Sequence, residues 1–237
     1  ADLGELSGRI AAAAATTGIG LTHLPVLYTY GGAGQAPLQD GQARFGNSVD
    51  RFNDLVAKAR DVVAHLPADC RVGIAPHSLR ATSPDDLKAV LAAHTAGPVH
   101  IHIAEQPKEV ADISAWLGAR PVDWLLANAE VTINWSLIHA THMTADETLK
   151  MAKSGAVAGL CPVTEANLGD GPFNGPSYLE AGGAFGVGSD SNVLISLTEE
   201  LRTLEYSQRL RDVARLLPPP AGGPTPATRG AVPGGVQ

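Results

Sequence analysis

The chain has 237 residues, 44% hydrophobic and 17% charged, with a formal net charge of −7. That is enough apolar material for one large domain with a real core. The acidic balance argues against a sequence-neutral nucleic-acid binder, which needs the opposite sign, and no run of about 18 apolar residues is present to span a membrane.

The chain starts Ala-Asp-Leu, without a Met, so it reads as processed or as a piece of something longer. Residues 3–17 predict a helix ending near Gly18 and Gly20; its Ala-rich stretch 9–16 is too short and too weakly apolar for a signal peptide. Residues 21–28 predict a strand, followed by a Gly-rich loop over 29–46 with little periodicity, of the kind that is usually functional or mobile. Asn47 or Ser48 can cap the next helix, whose Val49, Phe52, Leu55, Val56, Ala59, Val62, Val63 and Leu66 follow the helical period. A strand follows at 71–78. Ser83 before Pro84 marks a helix start that runs to about His94.

Residues 98–105 read as a buried parallel strand carrying His100 and His102 on one face, with Glu105 just past the apolar run. Pro107 opens a helix that stops at Gly118, and a shorter helix covers 122–127. Strands are predicted at 131–139, 156–163 and 184–190, with a polar loop at 164–176. Thr144 with Glu147, and Ser196 with Glu199, form capping-box patterns; the second opens a long helix to about Leu217. Residues 218–237, rich in Pro and Gly, read as a disordered tail, so the expected domains are 1–217 and 218–237. Cys70 and Cys161 lie in different apolar runs and read as two buried free thiols in a reducing, cytoplasmic compartment.

The alternation of six apolar strands with helices predicts an α/β fold with a parallel sheet. Polar groups recur after the strands: His77 and Arg80, Glu105 and Gln106, His139 and His142, Thr164 to Asp170, and Asp190. That recurrence favours a (β/α)8 TIM-type barrel over a doubly wound sheet. A complete barrel needs about eight strands, so the barrel reads as incomplete.

Of the eight histidines, His65 and His94 read as solvated helix positions and His23 as structural. His102, His139 and Asp190, each near the end of a different strand, suit a convergent metal-activated water, with Glu105 as a proton shuttle. The alternative is a set of polar residues satisfied in the core. Arg80 and Arg44 are forks for a carboxylate or solvated surface groups, and Tyr28 binds substrate or packs in the core.

The segments LPVLY (24–28), APHSLRA (75–81), HIHIAEQ (100–106), IHATH (138–142), CPVTEANLGDG (161–171), GVGSDS (186–191) and EELRTLEYSQRL (199–210) resemble the formimidoylglutamate deiminase family of the amidohydrolase superfamily, from about Leu6 to Leu216. The resemblance implies a metal-dependent barrel hydrolase of histidine degradation, holding zinc or ferrous iron. Its reaction takes N-formimidoyl-L-glutamate and water to N-formyl-L-glutamate and ammonia by metal-activated water. Carried over, His102 and Asp190 are metal ligands. Glu105, His139 and Asp190 are catalytic: Glu105 protonates the imino nitrogen, His139 orients the hydroxide and Asp190 takes a proton. Tyr28, Arg44, His77 and Arg80 bind an acidic small-molecule substrate. A homodimer is the expected assembly, without nucleic-acid or membrane partners. Two departures stand out. The superfamily's first-strand His-x-His pair is absent, because by the resemblance the chain begins before the third strand, leaving about strands 3–8. Asn192 stands where a His is expected after GSDS. The competing readings are a ring deaminase of the same superfamily, a catalytically inactive fragment, and a plain α/β domain.

Overall fold

Most helices in this chain start where a Ser, Thr or Pro sits ahead of an apolar period, and four of the nine among the described residues stop at a left-handed glycine. The computed structural model describes residues 2–213; the predicted tail 218–237 and the predicted helix end near Leu217 lie outside that range. The described chain divides into two compact units, residues 2–101 and 102–213.

In the first unit, helix α1 (Glu5–Thr17) ends at Gly18, whose left-handed φ of 71° lets its N–H reach the Ala14 carbonyl. The strand predicted at 21–28 is two short pieces, β1 (Thr22–His23) and β2 (Val26–Leu27). Its partner is likewise split into β3 (Arg71–Val72) and β4 (Ala75–Pro76). β1 pairs with β3 and β2 with β4, both parallel, in the registers Thr22↔Arg71 and Val26↔Ala75. The interruption falls at Pro25, which has no N–H to give. The ladder continues through it in one direction: Gly73 N–H donates to the His23 carbonyl and Ala75 N–H to the Pro25 carbonyl, both at 2.9 Å. A Cβ on Gly73 would lie 2.3 Å from the Pro98 carbonyl oxygen, so the close strand approach there requires glycine.

Ser48, not Asn47, caps helix α2 (Val49–Val63), accepting from Arg51 N–H at 3.3 Å. Asn47 instead accepts from Tyr28 N–H and donates to the Val26 carbonyl, tying the long loop to β2. Phe52, Val56, Ala59 and Val63 form the buried stripe of α2. Ser83 caps helix α3 (Pro84–Ala93) with Pro84 in its first turn. At its end, His94 corrects the expectation of a solvated surface residue. It is buried against Phe52, with Nδ1 bonded to Arg60 at 3.2 Å and Nε2 to Asn53 at 2.8 Å. Burial and the Arg60 charge push its pKa down.

Strand β5 (Val99–Ile103) runs across the division at residue 101, and the second unit is built on its end with β6 (Trp135–His139), β7 (Val157–Leu160) and β8 (Ala184–Val187), in the sheet order β5-β6-β7-β8. The pairings β6–β7 and β7–β8 are parallel, with Ser136↔Val157 and Val157↔Ala184 in register. Helices α4 (Pro107–Leu117) and α5 (Pro121–Asn128) follow β5, and α6 (Ala145–Ser154) follows β6. Leu137, Ala158, Leu160 and Ile103 are essentially inaccessible and form the core.

The expected polar loop at 164–176 is a correction. β7 stops at Leu160, and Pro162 opens helix α7 (Pro162–Leu168), which Gly169 ends in a left-handed turn; α8 (Gly175–Glu180) follows. Pro at the first helical position was the signal for α7, masked by the Gly-rich residues after it. Helix α9 (Leu197–Asp212) is capped by the Ser196 hydroxyl accepting from Glu199 N–H. No helix among the described residues is long and apolar enough to cross a membrane.

The capping box of α6 is complete: Thr144 and Glu147 exchange backbone N–H bonds at 2.8 and 3.1 Å, and buried Glu147 also takes Arg120 Nε at 2.8 Å. Thr144→Ala is expected to cost about 1 kcal/mol. Glu147→Ala, which removes the acceptor of both Thr144 N–H and Arg120 Nε and leaves Arg120 its bond to the His142 carbonyl, is expected to cost about 2 kcal/mol. Urea unfolding checks both, and equal losses would contradict the added weight of the Arg120 pair.

Candidate active site

The carboxyl ends of β5, β6 and β8 carry the chemistry-bearing residues of the second unit. Alternation along β5 buries Val99, Ile101 and Ile103 and puts His100 and His102 on the opposite face, as expected. The His102 ring lies against the His139 ring, with centroids 5.5 Å apart. His139 is 1% exposed and closes β6 with a left-handed φ of 66°, followed by Ala140 at 48°. Two successive left-handed residues cost about 1–3 kcal/mol each and persist only where the surroundings hold them.

What holds His139 is a pair of carboxylates. Its Nδ1 lies 3.1 Å from Glu165 Oε1, and its Nε2 lies 3.7 Å from Glu105 Oε1. Glu165 Oε1 also accepts the Cys161 N–H at 2.9 Å, so the carboxylate is anchored before it meets the ring. Burial pushes the His139 pKa down, but the Glu165 hydrogen bond and the charges of Glu105, Glu165 and Asp190 outweigh it and raise the pKa. Asp190 follows β8 in a left-handed turn, φ 44°, exposed. The Thr164 hydroxyl steadies that turn, 2.9 Å from Ser191 Oγ and 3.3 Å from the Ser189 carbonyl. Asn192, at the expected histidine position, accepts from the Ser189 hydroxyl at 3.0 Å and completes the turn.

The first unit gathers most of the residues expected to bind substrate. The rings of Tyr28 and His77 meet edge to face at 4.6 Å. Phe45 packs on Tyr28, and the exposed Arg44 guanidinium lies 5.1 Å from the Phe45 ring centroid. Gln42 donates to Tyr28 Oη at 3.1 Å and to the Gly31 carbonyl, orienting the phenol. Arg80 is half-buried beside the buried Leu79 and Ala81.

Glu165 and Gln42 are functional neighbours that sequence reasoning missed. For Glu165 the signal was a carboxylate four residues after the strand-ending Cys161, across a helix-opening proline. As for a metal, His102 and Asp190 are donors of suitable chemistry, but no group of three or more His, Cys, Asp or Glu among the described residues is arranged to hold an ion. A catalytic zinc takes about three protein ligands, so this donor set is short of a complete site.

Residues 35–226 match the amidohydrolase family. The chain is 52% identical over 216 residues to a formimidoylglutamate deiminase of Pseudomonas aeruginosa, covering 91% of this chain and 47% of the relative. It is 31% identical over 163 residues to a 5-methylthioadenosine/S-adenosylhomocysteine deaminase of Nitratidesulfovibrio vulgaris, covering 67% and 37%. Among solved structures, an amidohydrolase from Brucella melitensis superposes with a TM-score of 0.92 at 54% identity, covering 97% of this chain and 52% of that one. An adenosine deaminase from Xanthomonas campestris with bound zinc shares the fold at a TM-score of 0.67 and 21% identity, over 86% and 46% of the two chains. The chain thus spans about half the length of the relatives it matches, and its parallel strands are part of a TIM-type barrel.

In chelator-treated protein, the His139 ring is expected to titrate above the ordinary 6.5, and Glu165→Gln is expected to bring it down. Because the folded value is the higher one, the pair's stabilisation is complete below about 6.5 and is lost as pH rises through the folded pKa. An NMR titration of the ring protons checks this; a midpoint at or below 6.5, unmoved by the variant, would contradict it.

Proposed function

The chain belongs to the amidohydrolase family, and we propose that it carries the proton-handling part of a formimidoylglutamate deiminase. The reaction is hydrolysis of N-formimidoyl-L-glutamate to N-formyl-L-glutamate and ammonia, a step of histidine degradation. The observation that carries the reading is the buried array in which His139 stands between Glu165 and Glu105. The 52% identity to the Pseudomonas aeruginosa enzyme supports the choice of substrate.

Water adds to the formimidoyl carbon while Asp190 takes its proton. The C=N double bond becomes a single bond, giving a tetrahedral carbon with oxygen and two nitrogens. Glu105, entering as the acid, protonates the imino nitrogen as the C=N bond opens, with His139 Nε2 as hydrogen-bond partner of the new oxygen. Asp190 then passes the water proton to the same nitrogen, the C–N bond breaks and ammonia leaves with the bonding pair, while Glu105 takes back the hydroxyl proton as the formyl C=O forms, so both carboxyl groups end as they began. The residues that would hold a divalent metal, zinc or ferrous iron, are His102 and Asp190. When bound it supplies a water of lowered pKa, but two donors are fewer than a catalytic zinc needs, and the steps above rest on the chain's own groups. Arg80, Arg44, His77 and Tyr28 are assigned to the glutamyl carboxylates, for which a guanidinium is the matching fork. The free thiols Cys70 and Cys161 fit a reducing cytoplasm.

Ammonia release from N-formimidoyl-L-glutamate tests the reading, with the Pseudomonas aeruginosa enzyme as the positive control. Turnover is expected to fall about 10²- to 10⁴-fold in Glu105→Gln. Arg80→Ala is expected to raise KM for the glutamyl substrate and leave a neutral formimidoyl analogue unaffected. Deamination of a purine or triazine ring without formimidoylglutamate turnover would overturn the assignment. No turnover beside an active control would assign the activity to the longer proteins alone.

A further inference from the structure

We propose that Glu109 is a positioning residue that aims Glu105 at the reacting nitrogen, an inference that rests on the deiminase reading for the role of Glu105. Glu109 sits in the first turn of α4, 2% exposed. Its two oxygens accept two consecutive peptide N–H groups, Oε1 from Ala104 at 2.9 Å and Oε2 from Glu105 at 3.0 Å. A first-turn carboxylate ordinarily reaches back to the N-cap N–H; here it reaches past Gln106 to the two residues before it.

The peptide it grips needs gripping. Ala104 is a non-glycine residue at φ 50°, a conformation that persists only where its neighbours over-determine it. The Ala104 carbonyl accepts the His142 N–H at 2.9 Å, and the adjacent Ile103 carbonyl accepts the Ala140 N–H at 3.1 Å. Ala104 is therefore fixed on its N–H side by Glu109 and on its C=O side by the segment that carries His139. The 3.7 Å spacing of Glu105 Oε1 from His139 Nε2 follows from these ties. A carboxylate suits the task because two donors need two acceptors. Glutamine, of equal size, offers one oxygen and sets its NH2 against the other N–H.

The test pairs Glu109→Gln with two substrates and one spectroscopic readout in the full-length enzyme. One substrate is N-formimidoyl-L-glutamate. The other is its N-cyano analogue, whose nitrogen leaves as the cyanamide anion and needs one proton where ammonia needs two. Kcat on the first is expected to fall about 10²-fold with KM unchanged, as for a misplaced catalytic group, while the cyano analogue loses at least tenfold less. Equal losses on both substrates would mean a merely structural residue and overturn the proposal, as would no loss on either. In 15N-labelled protein at least one of the Ala104 and Glu105 amide protons is expected to move upfield in the variant, and the Glu105 χ1 couplings to change from one rotamer to an average. If the wild type turns over neither compound, the deiminase reading has failed; unchanged couplings would then overturn the positioning role on their own. Should Glu109→Gln fold poorly, adding Ala104→Gly, which accepts φ 50° without a Cβ penalty, recovers the fold without restoring the second acceptor.

Discussion

The site depends on left-handed backbone at strand ends in residues other than glycine. Ala104 after β5, His139 and Ala140 at the end of β6, and Asp190 after β8 all have φ between 44° and 66°. Each such residue is held at a cost of about 1–3 kcal/mol and turns its side chain out of the direction the strand would give it. The groups that hold them are side chains from the first turn of a helix. Glu109 grips Ala104, Glu165, anchored on the Cys161 N–H, grips the His139 ring, and Thr164 grips the turn around Asp190. Glu147 and Glu200, equally buried, do the same for the starts of α6 and α7. A helix N-terminus tolerates a buried carboxylate because its unpaired N–H groups and dipole favour negative charge.

This concentration of acid has an electrostatic consequence. Burial first, then the charges of Asp190, Glu165, Glu200 and Glu105, push the Cys161 thiol far up, away from the nucleophilic thiolate form. Burial, with Glu165 and Asp190 behind it, also raises the Glu200 carboxyl. The Glu165 hydrogen bond and the charges of Glu105, Glu165 and Asp190 raise the His139 imidazole as well, against its burial. A site with this sign of potential suits a cation, organic or metallic.

Much of this was legible in the sequence. Helix starts at Ser83–Pro84, Pro107 and Thr144 are local chemistry, and the His100/His102 alternation follows from strand period alone. The motif residues His102, Glu105, His139 and Asp190 come to neighbouring strand ends in the second unit, while Tyr28, His77 and Arg44 gather in the first. The carboxylates Glu109 and Glu165 were not legible. On a helix wheel they are ordinary first-turn acids; the left-handed Ala104 before α4, and the non-helical Cys161 at φ −130° before α7, bring backbone N–H groups within reach. His94 was misread for a similar reason: its partners Asn53 and Arg60 are on α2, and no pattern within α3 announces them. The short strands at β1 to β4 follow from Pro25, which the apolar run around it outweighed in the reading.

The two kinds of chemistry in this site are built differently. The proton-handling array of Glu105, His139 and Glu165 is nearly dry, and each of its members is tied to backbone or to another member by protein groups alone. The pair proposed to hold a metal is not: His102 is half-buried beside His139, and Asp190 is exposed on a turn held by hydroxyls. Charge-assisted bonds to buried carboxylates keep their geometry without an ion, whereas a donor on an exposed turn gains order when an ion is bound. The acid–base geometry is therefore a property of the chain's own packing. Metal affinity depends on how many further donors reach His102 and Asp190, and among the described residues no third one joins them.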